Sequence, residues 1–158
     1  MNSNGTLSWN LEEVAAALKI GVADAREYFT DGRRVAFIIE RRISKEVVRG
    51  SLASSEGAAF DLVDEQGGKW EVRSISSSGI YFCPSYMVGS GRSFELQGFL
   101  RKLNEIRGYI LSDITSYPEV PYWIIQKEIV KEWWERGELG TSTKISRDKA
   151  IRLLSRIP

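Results

Sequence analysis

The stretch Asp61 to Ser74, DLVDEQGGKWEVRS, concentrates residue types that can do chemistry. A Glu-Gln-Gly-Gly turn separates Phe60-Asp61-Leu62-Val63-Asp64 from Lys69 to Ile75, and both flanks alternate or run apolar, so the stretch predicts a β-hairpin. With an odd-numbered loop Asp61 lies directly across from Glu71, and strand alternation puts Arg73 on the same face as Glu71. Two carboxylates and one guanidinium then share a small patch. Ionised carboxylates a few ångströms apart repel, and a divalent cation between them removes the conflict at neutral pH. Oxygen ligands alone favour Mg²⁺, which keeps several waters and can be shared with a phosphate. The same residues also fit a structural arrangement, with Asp61 at a strand edge and Glu71 and Arg73 as an exposed ion pair worth under about 1 kcal/mol. Asp64 is an alternative to Asp61 as the ligand, although its place beside the glycines suits a turn residue.

Other chemistries are excluded by composition. The chain has no histidine, which removes Ser-His-Asp triads, Cys-His pairs and histidine-ligated zinc. Cys83 is the sole cysteine, so internal disulfides and thiolate clusters are excluded and a reducing, cytoplasmic compartment is expected. No apolar run reaches the roughly 18 residues of a membrane span, and MNSNGTLSWN lacks the basic and apolar regions of a signal peptide, so no membrane partner is expected. The 158 residues, 42% hydrophobic with 5 Trp, 6 Tyr and 6 Phe, suit one domain with a real core. With 22 Lys and Arg against 21 Asp and Glu, any attraction for a polyanion must be local.

The elements that must position the hairpin follow from periodicity. Asn10 caps a helix over residues 10–19, with Leu11, Val14, Ala15 and Leu18 at helical spacing; Gly21 ends it, and Ala23 to Phe29 forms a second short helix. Arg33 to Arg49 reads as a long helix, and Ser51 to Gly57 as a loop. Beyond the hairpin, Ile80 to Cys83 is a core strand ended by Pro84, inside a Ser- and Gly-rich excursion from Ser76 to Ser93. Phe94 to Arg107 is a helix stopped by Gly108, Tyr109 to Leu111 and Tyr122 to Ile125 are buried strands, and helices over Lys127 to Arg136 and from Ser146 to about Ser155 close the chain. The order predicts an α/β (α+β) fold, a mixed central sheet flanked by helices, with residues 1–31 as an N-terminal helical segment and 32–158 as the catalytic core.

Asp61, Glu71 and Arg73, with Glu40 on the preceding helix, resemble the PD-(D/E)xK nuclease superfamily, in particular small type II restriction endonucleases. In that superfamily an acid at one strand end is followed across a hairpin by Glu-x-Lys. The resemblance spans about Gly32 to Gln126 and includes the order of helix, hairpin, helix and strand. It implies a restriction-endonuclease-like fold and Mg²⁺-dependent hydrolysis of double-stranded DNA, with Asp61 and Glu71 as metal ligands. Arg73 stands where the motif has lysine, and Glu40 matches an additional glutamate that many members carry. Ala59 stands where a proline is frequent, a minor departure. Arg73 matters more, because arginine does not release its proton and can only orient water or stabilise the phosphate. This departure keeps a second reading open: a DNA-binding or structural protein on a nuclease scaffold with weak or lost catalysis, or a nicking or junction-resolving enzyme.

Gly79-Ile80-Tyr81 followed by Tyr86 resembles the GIY-YIG nucleases in its letters, but only four residues separate the halves and Pro84 interrupts a strand there, so a core strand is the better reading. The excursion supplies Ser85, Tyr86, Ser90, Arg92 and Ser93 as candidate DNA contacts, hydroxyls and one guanidinium of the kind that reach phosphates or base edges. Arg41 and Arg42, on a helix face rich in arginine, are candidates for the phosphate backbone. An enzyme that cuts both strands of a palindrome needs two active sites, so a homodimer is expected, with Leu11 to Phe29 as its contact.

Overall fold

The computed structural model describes residues 2–55 and 58–158 and places a six-stranded mixed sheet between two layers of helices. The strands are β1 (Gly5–Ser8), β2 (Ser51–Leu52), β3 (Leu62–Val63), β4 (Lys69–Ile75), β6 (Gly108–Asp113) and β7 (Glu119–Gln126). They lie in the order β1-β7-β6-β4-β3-β2, and a separate ribbon pairs β5 (Ile80–Tyr81) with β8 (Lys144–Ile145). Only β4 and β6 run parallel, from Trp70↔Gly108 to Ile75↔Asp113. A parallel neighbour requires a crossover, which α4 (Leu96–Glu105) supplies.

Alternation along the central strands sorts the core. Trp70, Val72 and Ile110 face a cluster with α1 (Leu11–Leu18), α2 (Val22–Phe29) and α3 (Gly32–Arg42). Ile75, Tyr109 and Leu111 face the cluster made with α4, α5 (Lys127–Glu135) and α6 (Arg147–Ser155). Every residue of β6 is buried, as expected of a strand covered on both faces.

Local signals set the helix ends. Asn10 accepts the Glu13 N–H at 3.1 Å, Asp31 accepts that of Arg33 at 2.9 Å, and Ser146 that of Lys149 at 3.3 Å. The long helix expected over residues 33–49 is regular only to Arg42; one wider turn over Ile43–Val47 follows, in which the Val48 N–H reaches back to the Ile43 carbonyl.

Three short strands were not expected, because their partners are remote in sequence. Ser51–Leu52, read as loop, pairs with β3, while Glu56 and Gly57 of that loop lie outside the described residues. Lys144–Ile145 pairs with β5. Gly5–Ser8 pairs with β7, so the N-terminal segment begins with an edge strand and not with a helix. Leu7, Leu11, Ala15, Ala25 and Phe29 of that segment are buried with Ile39, Ile43 and Ile110. Among the described residues no helix is long and apolar enough to cross a membrane.

Candidate active site

The hairpin adopts the expected register, Leu62↔Trp70 and Val63↔Lys69. One step further the ladder opens. The Asp61 N–H donates to the Trp70 carbonyl at 3.0 Å, and the Asp61 carboxylate takes the Val72 N–H through Oδ2 at 2.8 Å. On the other side the Asp61 carbonyl accepts the Ala53 N–H, so β2 and β4 together fix this residue. Among the described residues no hydrogen bond reaches Oδ1. Asp64 is a turn residue: Oδ1 accepts the Gln66 and Gly68 N–H groups, and Oδ2 accepts the Trp70 indole N–H at 2.7 Å.

Glu71 and Arg73 do not form an exposed ion pair. Glu71 is 3% exposed, and its Oε1 lies 2.6 Å from Arg73 Nη2. Its Oε2 is held by the ammonium of Lys102, which also donates to the Ala59 carbonyl. Lys102 is buried on α4 and was not singled out in the sequence, where it is one basic residue in a helix; only the crossover brings it over β4. Burial pushes the Glu71 carboxyl up from its ordinary range, as does nearby Asp61, while Arg73 and Lys102 pull it down.

Arg73 is held in turn. Its Nη2 donates to the Cys83 carbonyl at 3.3 Å, its guanidinium lies 4.8 Å from the centre of the Tyr81 ring, and its Nε is buried without a partner among the described residues. The strand Ile80–Tyr81 and the residues after it therefore position the site.

Glu40 lies on α3, in the opposite layer, and lines with Arg73 a second cavity rather than the one that holds Asp61 and Glu71. Burial, with the charges of Asp61 and Glu71, raises its pKa to about 7. A carboxyl raised in this way binds more protons folded than unfolded between its ordinary value and about 7, so it contributes a fall in stability as pH rises through that window, complete above it. Glu40→Gln is expected to remove that part of the slope, read as the difference in denaturation midpoint between about pH 5 and pH 8; an unchanged slope would mean that Glu40 titrates normally.

Asp61, Glu71, Arg73 and Lys102 line one cavity of about 440 Å³, together with Ser85, Tyr86 and Arg101. Two of the five excursion residues thus reach the site. Tyr86 does so because Gly98 on α4 has no side chain: a Cβ there would lie 2.5 Å from the Tyr86 hydroxyl. Arg92 instead folds back to the Ser85 and Val88 carbonyls, and Ser90 and Ser93 do not line this cavity. Arg41 stacks on Phe37, its guanidinium carbon 3.3 Å from the ring centre. Arg42 pairs with Glu46, donates to the Ser8 carbonyl and lies over Trp9. Neither arginine lines the cavity.

The donor set suits a hard cation in type, since Asp61 and Glu71 share a cavity wall and one Asp61 oxygen is unengaged. Both Glu71 oxygens already meet cations, however, so a metal must displace Arg73 or Lys102 from one of them. Among the described residues no three carboxylates or thiols are gathered as a ready metal cage. No protein-family model matches the chain, and no curated protein matches it.

Proposed function

We propose that this protein is a Mg²⁺-dependent endodeoxyribonuclease of the restriction-endonuclease-like type, acting on double-stranded DNA. The observation that carries the reading is the convergence on Glu71 of Arg73 from its own strand and Lys102 from the crossover helix, in a cavity shared with Asp61. The order α3, β3–β4 hairpin, α4 and β6 supports it as well.

Asp61 and Glu71 would hold the metal, which when bound supplies Lewis-acid charge at the scissile phosphate. Arg73 stabilises the negative charge that grows on the phosphate, a role that needs no proton release. Lys102 supplies what Arg73 cannot: an ammonium able to give up a proton, at the carboxylate beside which the motif lysine belongs. Glu40, on the far side of Arg73, supplies a further carboxylate that burial makes less acidic than usual.

Supercoiled plasmid with Mg²⁺ or Mn²⁺ tests the reading. Linear product with discrete ends supports it, whereas a gel shift without cutting supports the binding-protein alternative. Lys102→Met is expected to lower the cleavage rate about 100-fold, at the low end of what acid-base groups contribute. Arg73→Lys, which keeps the charge but loses the hydrogen bond to the Cys83 carbonyl and the stack on Tyr81, is expected to cost less than about ten-fold. The reverse order of the two effects would assign the proton-handling group elsewhere.

We further propose a homodimer through the exposed apolar side chains Leu18, Ile20 and Val22 at the α1–α2 junction. Light scattering is expected to give about twice the 17.9 kDa chain mass, reduced to one chain by Leu18→Glu with Val22→Glu. Deleting the segment would be uninformative, since β1, α1 and α2 contribute to the core.

A further inference from the structure

We propose that a second cavity, on the α3 side of Arg73, is the phosphate-backbone groove for the DNA strand on one side of the scissile bond, with Ser77, Arg33 and Lys144 as its contacts. The inference rests on the nuclease reading and extends it to residues outside the Glu71 cluster. The cavity measures about 550 Å³, and Arg73 is a wall of both it and the cavity that holds Asp61 and Glu71. A strand whose phosphate lies at Arg73 must continue on both sides of that residue, and this is the space available to it.

The lining has the chemistry of backbone contacts, which come mainly from hydroxyls and cationic side chains. The Ser76–Gly79 turn is closed by hydrogen bonds in both directions, at 3.1 and 3.0 Å. It is pressed against β8, where a Cβ on Gly79 would lie 2.1 Å from the Ile145 carbonyl. The Ser76 hydroxyl pairs with that of Ser78 at 2.9 Å and donates to the Gly79 carbonyl at 3.3 Å, which commits those two to the turn and fixes the exposed Ser77 at the rim. Lys144 is exposed and has no carboxylate within ion-pair distance among the described residues, while Arg33 is 94% exposed with only a 3.8 Å approach to Asp31. Two carboxylates also line the space. Asp31 is engaged by the Arg33 N–H and by Arg34 at 3.6 Å, and Glu40 is a carboxylate whose burial holds its pKa above the ordinary range. Tyr81, also in the lining, has a ring face occupied by Arg73, which leaves hydroxyls and cations as the available contacts.

Fluorescence polarisation with a labelled duplex of about 20 base pairs in EDTA, at several salt concentrations, tests the groove. Lys144→Ala is expected to reduce the slope of log affinity against log salt by about one contact, and Lys144→Glu and Ser77→Glu to weaken binding about ten-fold or more. Lys131→Glu, a charge reversal on exposed α5, is the control and should bind like the parent. If the parent binds DNA and the Lys144 and Ser77 variants keep its affinity and slope, the groove is overturned and the nuclease reading stands. If the parent binds no duplex at any salt, the nuclease reading falls and takes the groove with it.

Discussion

Glu71→Gln is expected to abolish metal-dependent cleavage and, by stripping the shared counter-charge from buried Arg73 and Lys102, to lower the melting temperature as well; DNA binding measured below that temperature should remain. Glu71 is one of three carboxylates lining the cavity, with Asp61 and Glu105, and the amide keeps its shape but not its charge. Loss of a group that merely supports a metal ligand costs 10–100-fold, so loss of the ligand itself is expected to cost on the order of 1,000-fold or more. Alanine strips the same counter-charge from Arg73 and Lys102 and leaves a gap besides; stripping one partner from a buried pair costs about 3–5 kcal/mol. Glu71→Gln is therefore read by plasmid cleavage beside a polarisation assay, both well below its melting temperature, and the two variants are compared by thermal melting. Cleavage that survives Glu71→Gln would place the active site elsewhere.

Phe82→Ala should produce the largest loss of stability among single truncations near the site. Phe82 is fully buried, with edge contacts to Tyr109 and Trp133 at centroid distances of 5.4 and 6.0 Å. Removing such a ring costs about 3–5 kcal/mol, which in a chain of this size lowers the melting temperature by about 10 °C. The effect reaches the site through the backbone. The Phe82 carbonyl accepts the Tyr109 hydroxyl at 2.9 Å, Thr143 holds the Phe82 and Cys83 N–H groups, and the Cys83 carbonyl accepts Arg73. Cleavage by Phe82→Ala should therefore fall even well below its melting temperature. A shift of only a degree or two would mean that the cluster repacks around the gap.

Residues such as Arg147 show where sequence reading is ambiguous. One basic side chain among several near the C-terminus, it turns out to lie 2.6 Å from buried Asp113 at the end of β6. Burial works against that carboxylate, but hydrogen bonds from Arg147 and Thr115 outweigh it and hold Asp113 below its ordinary range. The pair joins α6 to the sheet and leaves Arg147 committed. Arg42 and Arg92 are committed in the same way, one to Glu46 and the other to two carbonyls, and no spacing rule distinguishes them from free cations.

What the sequence determined by itself was local. Asn10, Asp31 and Ser146 cap their helices because a short polar side chain satisfies the first free N–H groups without help from elsewhere. The odd loop and the period of two set the register Leu62↔Trp70 and Val63↔Lys69, since register in a tight hairpin depends only on turn length and alternation. Tertiary structure decided everything that joins distant segments: the strands Gly5–Ser8, Ser51–Leu52 and Lys144–Ile145, the burial of Glu71, and above all the presence of Lys102 on it. Lys102 lies 31 residues from Glu71, with α4 crossing over so that β6 can run parallel to β4. No pattern along the chain encodes that proximity, because it arises from the handed crossover and from the packing of Phe99 and Leu103 on the sheet, which turn the lysine of the same helix inward.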